Sequence, residues 1–318
     1  MSQTVLIAEP RDYSERALDH YRQIGVVETG PLQSGPYPNV TMLVIRLAHR
    51  VDGEFLDRFP ALEALVSPTT GLNHIDLDEI GRRKIQVFSL QDCREAIEKV
   101  HSTSELTLGL IIALVRNICK ANQDVVSDGS WDRDRFRGRE LSRMTLGIVG
   151  LGRIGGHLCE YAKALRMRVL AFDDRQSEDR FSMLGAVRMP LEQLLAESDI
   201  VSMNMALNPE TENLLDAGRL ALMKTGAYLV NTARGELIDE AAAVERLRQG
   251  ALSGIAADVL SMESDPRADL ADSPLHAAAR EGYNVILTPH VGGCTLDAMH
   301  ITEECLAETV KRAYAVAM

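Results

Sequence analysis

The sequence predicts an α/β protein of two domains, each a doubly wound parallel sheet, and three observations carry that expectation. The chain has 318 residues, more than one hydrophobic core usually serves. Short β-branched runs alternate with amphipathic segments along it, the pattern of parallel strands joined by helices. A glycine-rich turn, Gly150-Leu151-Gly152-Arg153-Ile154-Gly155, falls between one such run and one such helix.

Taken in order, residues 5–8, 42–45 and 65–66 read as strands, with helices over 12–21 and 76–83 and a turn-rich loop over 30–38. A long helix is expected over 103–121, opened by the capping candidates Ser102 and Thr103, and a polar stretch over 127–140 follows it. Six strands come next, at 146–149, 168–172, 200–203, 228–230, 255–259 and 285–287, the number that completes a dinucleotide-binding domain. The last helix, from about residue 295, comes after that domain and is expected to return to the first. The expected division is 1–103 with 290–318 as a substrate-binding domain, and 104–289 as the dinucleotide-binding domain.

Composition narrows the function. With 46% hydrophobic and 25% charged residues the chain has the make-up of an ordinary folded protein. A net charge of -12 argues against nucleic-acid binding, which needs a positive surface, and 4% aromatics offer few stacking platforms. Cys93, Cys119, Cys159, Cys294 and Cys305 form no CxxC pair, so neither a metal site nor a disulfide framework is expected. The opening MSQTVLIAEP lacks the pattern of a signal peptide, and the longest apolar stretch, 106–115, is too short to span a bilayer. Free thiols in a cytoplasmic protein, away from membranes, are the expectation.

The glycine turn has the context that phosphate binding demands. Gly150 permits the tight turn, Gly152 lets the backbone approach a pyrophosphate, and Gly155 lets helix and strand pack closely. Arg153 and Ile154 open the helix, whose N-terminus presents free N–H groups to the phosphates. Eighteen residues after Gly155, at the end of the next strand, stands Asp173, placed to accept hydrogen bonds from the ribose diol. Its charge opposes a 2′-phosphate, so NAD rather than NADP is expected, with the nearby Arg175 softening the repulsion.

Three longer motifs carry a family resemblance. Val230-Asn231-Thr232-Ala233-Arg234-Gly235-Glu236-Leu237-Ile238-Asp239, Ala256-Ala257-Asp258-Val259-Leu260-Ser261-Met262-Glu263 and Thr288-Pro289-His290-Val291-Gly292-Gly293 stand in this order. Together with Gly71-Leu72-Asn73-His74-Ile75-Asp76 and Gly138-Arg139-Glu140-Leu141 they resemble the D-isomer-specific 2-hydroxyacid dehydrogenases over almost the whole chain. The resemblance implies two Rossmann-like domains, a homodimer, and hydride exchange between NAD and a small 2-hydroxy or 2-keto acid. It implies Arg234, Glu263 and His290 as catalytic residues, and Met205, Thr232, Asp258 and Gly293 around the nicotinamide. Thr70 would close over the cofactor. The residue types suit the chemistry: a histidine exchanges the proton, a carboxylate favours and orients its imidazolium, and an arginine fork grips a carboxylate and polarises a carbonyl.

Some positions depart from the family pattern. Arg143-Met144-Thr145 replaces Gly-Lys-Thr, Asn208-Pro209-Glu210-Thr211 replaces Thr-Pro-Glu-Thr, and the stretches 89–101 and 265–284 are longer than usual. For the substrate, Arg46 at a strand end, the Thr69-Thr70-Gly71 turn and Asn73 are the candidate contacts. By resemblance to phosphoglycerate dehydrogenases, Arg46 and Asn73 would reach the distal end of a phosphorylated acid, so a phosphorylated or otherwise anionic 2-hydroxy acid such as 3-phosphoglycerate is expected ahead of lactate or glycolate, with Arg46 paired to a nearby acid as the other reading. A phosphite-oxidising relative would keep all three catalytic residues, whereas a formate-oxidising one carries an amide where Glu263 stands. A non-enzymatic NAD(H)-sensing protein of the corepressor type is the alternative from another class. The chain runs to Met318 with no recruiting tail or regulatory domain after its last helix, which favours the enzyme.

Overall fold

The structure, a computed structural model, describes residues 3–69, 71–72, 74–263 and 268–316. It contains two compact units, Met1–Val100 with Cys294–Met318, and His101–Gly293.

In the first unit five parallel strands run β1 Gln3–Ile7, β2 Gly25–Thr29, β3 Met42–Val44, β4 Ala64–Ser67 and β5 Gln86–Ser89, in the order β2-β1-β3-β4-β5. Side chains alternate across a strand, so a sheet covered on both sides needs apolar residues at every position. Val5, Ile7, Met42 and Val44 pack under the helices Glu15–Arg22 and Leu296–Val316 through Ala17, Tyr21, Leu306 and Val310. Leu6, Leu43, Ile45 and Leu65 face the other way, onto Leu56 and Ile80 of the helices Gly53–Asp57 and Leu77–Arg83. The last helix therefore belongs to the first unit, as the resemblance implies. β2 and β5 went unread because β2 is a mostly exposed edge strand with only two valines, and β5 is a four-residue edge strand that opens on the exposed Gln86.

The second unit has seven parallel strands, β6 Thr145–Val149, β7 Arg168–Phe172, β8 Val187–Arg188, β9 Ile200–Met203, β10 Ala227–Asn231, β11 Leu252–Ala257 and β12 Val285–Leu287. Their order is β12-β11-β10-β9-β6-β7-β8, and it reverses between β6 and β9. The unexpected seventh strand, β8, is two exposed residues at the edge, too short to leave a periodic signal. The helix expected over 103–121 is two helices, Ser102–Val115 and Ile118–Asp128, bent by 62°. Asn117 sits between them at φ 54°, a left-handed conformation that asparagine tolerates better than most residues. The first helix buries Leu110, Ile111, Leu114 and Val115 in the core, and the second buries nothing. Among the described residues no single helix is long and apolar enough to cross a membrane.

Candidate active site

Because every strand of the second unit is parallel, each leads into its following loop at the same edge of the sheet. The loops after β7, β6, β9, β10, β11 and β12 carry, in spatial order, Asp173, the glycine turn, Met205, Thr232 with Arg234, Asp258 with Glu263, and His290.

The three glycines are required for three different reasons. Gly150 has φ +100°, and a Cβ there would lie 2.7 Å from the Asn204 carbonyl oxygen and 2.8 Å from Cγ of Met205. A Cβ on Gly155 would lie 2.0 Å from the Gly150 carbonyl oxygen, so the helix Arg153–Ala164 packs on the strand end only because none is present. Around Gly152 a Cβ would meet no atom within 4 Å. That open position caps the helix, and a glycine there puts no side chain over the helix's first N–H groups. An open cradle at a helix N-terminus fits a pyrophosphate.

Asp173 is 8% exposed and ties this turn together. Its Oδ2 accepts the Leu151 amide at 2.8 Å, and its Oδ1 accepts the amides of Arg175 at 2.9 Å and Gln176 at 3.2 Å. Oδ2 keeps a lone pair for a ribose hydroxyl. Arg175, expected to soften the repulsion of a 2′-phosphate, directs its guanidinium to Glu210 at 3.4 Å. Arg180, which sequence reasoning missed, donates to the Gly152 carbonyl oxygen at 3.2 Å and braces the turn from behind. It lies in a helix of mixed character with no motif around it, so nothing in the sequence singled it out.

At the other end of the edge, Nδ1 of His290 lies 3.0 Å from Oε1 of Glu263, the pairing that the motifs implied. His290 has φ 52°, a costly conformation for a histidine, and its amide is bonded to the carbonyl oxygens of Asp258 and Thr288. The Asp258 carboxylate, 1% exposed, accepts the Thr288 hydroxyl at 2.5 Å and the amides of Val291 at 2.9 Å and Gly292 at 2.8 Å. The residue implied as a nicotinamide contact thus also organises the histidine loop, with one lone pair of Oδ2 left over. Ser102 does not cap its helix; its hydroxyl donates to the Gly292 carbonyl oxygen at 2.7 Å, just before Gly293.

Arg234 follows β10, and its loop is braced by Asn231, a second residue that sequence reasoning missed. Asn231 donates to the Arg234 carbonyl oxygen at 2.8 Å and accepts the Ala233 amide at 3.0 Å. An asparagine at the end of a buried strand was the available signal, since it commonly bonds the turn it begins. Thr232 is buried, its hydroxyl 2.7 Å from that of Thr107.

In the first unit, Arg46 follows β3 and Thr69 follows the neighbouring β4. Thr69 donates to the Gly71 carbonyl oxygen at 2.9 Å. Arg46 forms a very short ion pair with Glu303, donates to the Arg11 carbonyl oxygen and lies over the Tyr13 ring. Burial pushes the Glu303 carboxyl up, against the pull of the Ser14 amide and Arg46. Thr70 and Asn73 lie outside the described residues.

A glycine cradle, a buried strand-end carboxylate and an imidazole–carboxylate pair along one sheet edge are the groups a dinucleotide-linked oxidoreductase needs. Residues 108–292 match the family model described as the D-isomer specific 2-hydroxyacid dehydrogenase, NAD binding domain. A Staphylococcus aureus protein classed among the 2-hydroxyacid dehydrogenases is 32% identical over 292 residues, covering 91% of this chain and 87% of its own. Among solved structures, a D-lactate dehydrogenase of Aquifex aeolicus complexed with NAD and lactic acid aligns with a TM-score of 0.81 at 25% identity, covering 99% of this chain and 96% of that one. A protein of Thermus thermophilus aligns with a TM-score of 0.82 at 31% identity, covering 99% and 97%. The chain belongs to the D-isomer-specific 2-hydroxyacid dehydrogenases and is an NAD-dependent enzyme of that family.

Cofactor choice is testable at Asp173. In Asp173→Ala the ratio of kcat/KM for NADPH to that for NADH should rise by about tenfold or more, because the opposing charge is gone. NADH should also bind more weakly, because the Leu151 amide loses its acceptor. A wild-type enzyme that already prefers NADPH would contradict the assignment of Asp173.

Proposed function

We propose that Arg234, Glu263 and His290 carry out D-2-hydroxyacid oxidation and 2-keto acid reduction in this chain, and that the acid is small and unphosphorylated. The contact between His290 Nδ1 and Glu263 Oε1 carries the reading. With Nδ1 engaged, Nε2 is the nitrogen left to face a substrate. When bound, NAD(H) supplies or accepts the hydride. In reduction, His290 gives its Nε2 proton to the oxygen of the substrate carbonyl while Glu263 holds the imidazolium. Arg234 binds the substrate carboxylate and polarises the carbonyl. In oxidation His290 takes the hydroxyl proton back. Asp173 would hold the adenosine end of the dinucleotide, and Met205, Thr232, Asp258 and Gly293 would hold its nicotinamide end.

The phosphorylated acid expected from the sequence rests on Arg46 and Asn73, and this reading departs from it. Arg46 is 17% exposed at its side chain and spends its charge on Glu303, so it offers little to a second anion. The lactic acid in the A. aeolicus complex has no phosphate, which supports the smaller class.

We also propose a cytoplasmic homodimer. The apolar 106–115 segment is largely spent on the core of its own unit. The helix after it supports assembly better: Ile118, Val125 and Val126 are exposed, and Trp131, the protein's one tryptophan, is 89% exposed.

His290→Ala should lower kcat by about 10²–10⁴-fold, the range of general acid–base catalysis, with NADH binding little changed by fluorescence titration. Arg234→Ala should damage both KM and kcat. Saturating turnover near wild type in His290→Ala would remove the mechanism. On a substrate panel, pyruvate and glyoxylate should outperform 3-phosphohydroxypyruvate. Arg46→Ala should lower Tm and leave the selectivity ratio unchanged, whereas a selective loss on the phosphorylated acid would restore Arg46 as a ligand. Sedimentation should give a species of roughly 70 kDa that Val126→Asp converts to one near the 35.0 kDa chain mass; a wild-type monomer at micromolar concentration would overturn the assembly.

A further inference from the structure

Glu240 opens the helix Glu240–Arg248, a position where a glutamate ordinarily stays in water and favours the helix N-terminus. Here it is 6% exposed. Its side chain reaches the turn after β11, where Oε1 accepts the Ser261 amide at 2.8 Å, two residues before Glu263. Oε2 is shut away from solvent with no hydrogen-bond partner. The same turn is pressed from the other side by Gly235, whose Cβ, if it had one, would lie 2.0 Å from the Ser261 nitrogen and 2.1 Å from the Leu260 carbonyl carbon. The loop of Arg234 and the turn of Glu263 therefore meet at Gly235 and Ser261, and Glu240 holds the amide at that meeting point.

We propose that Glu240 is the positioning residue of the acid–base pair, fixing the 261–263 turn by accepting the Ser261 amide so that Glu263 stays on His290. The inference rests on the reading of Glu263 and His290 as that pair. Burial is the first cause that pushes the Glu240 carboxyl up, and the carboxylates facing it, Glu236 and Glu263, act in the same direction. The Ser261 amide pulls the other way. An ionised Glu240 would leave Oε2 as an unpaired buried charge and repel Glu263. A neutral acid keeps the bond to Ser261 through its carbonyl oxygen and adds no repulsion. Glu240 touches no reacting atom and acts only through the turn.

The test uses the full-length enzyme with NADH and the best substrate among pyruvate, glyoxylate and hydroxypyruvate, across pH. Glu240→Ala should lower kcat by about tenfold or more, as small misplacements of catalytic groups do, with KM for NADH within about twofold. The alkaline fall-off of reduction should move to lower pH by about 0.5 unit or more as the carboxylate leaves the imidazole. Glu240→Gln, uncharged and of the same reach, should keep kcat within about threefold and leave the fall-off in place. If Glu240→Ala does not fold, Glu240→Asp, too short to reach Ser261, carries the same expectation. An unmoved pH profile in Glu240→Ala or Glu240→Asp, or a Glu240→Gln enzyme as impaired as they are, overturns the proposal. His290→Ala in the same assay separates the two readings. Turnover surviving there removes the acid–base pair itself, whereas an inactive His290→Ala beside a wild-type profile in Glu240→Ala removes the positioning role alone.

Discussion

Parallel pairing is the constraint on which the site depends. A parallel sheet cannot be closed by hairpins, so each strand must be followed by a crossover, and every crossover leaves from the same edge. In the second unit this sends six successive functional loops to one line without any of them being adjacent in sequence. The reversal of strand order between β6 and β9 sends the helices of the two halves to opposite faces of the sheet. The glycine turn and Met205 flank that reversal, with Asp173 one strand to one side and Arg234 and His290 to the other. Topology sets the order of the groups. Their orientation has to come from something more local.

That local control comes from buried carboxylates bonded to main-chain amides. Asp173 gathers the amides of Leu151, Arg175 and Gln176, and Asp258 gathers those of Val291 and Gly292 with the Thr288 hydroxyl. Charge-assisted bonds of this kind are roughly twice as strong as neutral ones, and they fix loop backbone rather than side chains. At His290 the effect is largest, because a histidine at φ 52° persists only where its surroundings over-determine it. An acid that organises a loop in this way still keeps a spare lone pair on one oxygen. Scaffold and ligand contact are therefore compatible roles for the same residue.

The sequence displayed more of the site than of the fold's edges. Glycine spacing, the strand-end Asp173 and the Arg234, Glu263 and His290 motifs are local patterns, and a local pattern survives without knowledge of tertiary partners. β8 has two residues and β2 two valines, one exposed and one packed on the core, so neither carries the periodicity by which strands are recognised. The break at Asn117 was invisible because apolar residues continue past it in Ile118. Arg180 and Glu240 were missed for a different reason: each acts on main-chain groups far away in sequence, and no spacing rule records such a contact. The fate of Arg46 belongs to the same class, since its partner is 257 residues distant.

The Arg46–Glu303 pair also bears on how specificity arises in the first unit. β1 and β3 flank the point where its strand order reverses, the place where an open α/β sheet tends to take a ligand. A guanidinium at the end of β3 would ordinarily be the first group to meet an anion there. Glu303 supplies an anion from within the chain, on a helix that is also held by the Ser14 amide at 2.8 Å. Displacing it would strand a carboxylate that is 1% exposed, and breaking a buried pair in that way costs about 3–5 kcal/mol. A single new phosphate contact at a partly hydrated arginine returns less than this. The pair fastens the last helix to the sheet and engages the charge of Arg46 from within the chain. Closure of the first unit at this strand end then rests on one interaction.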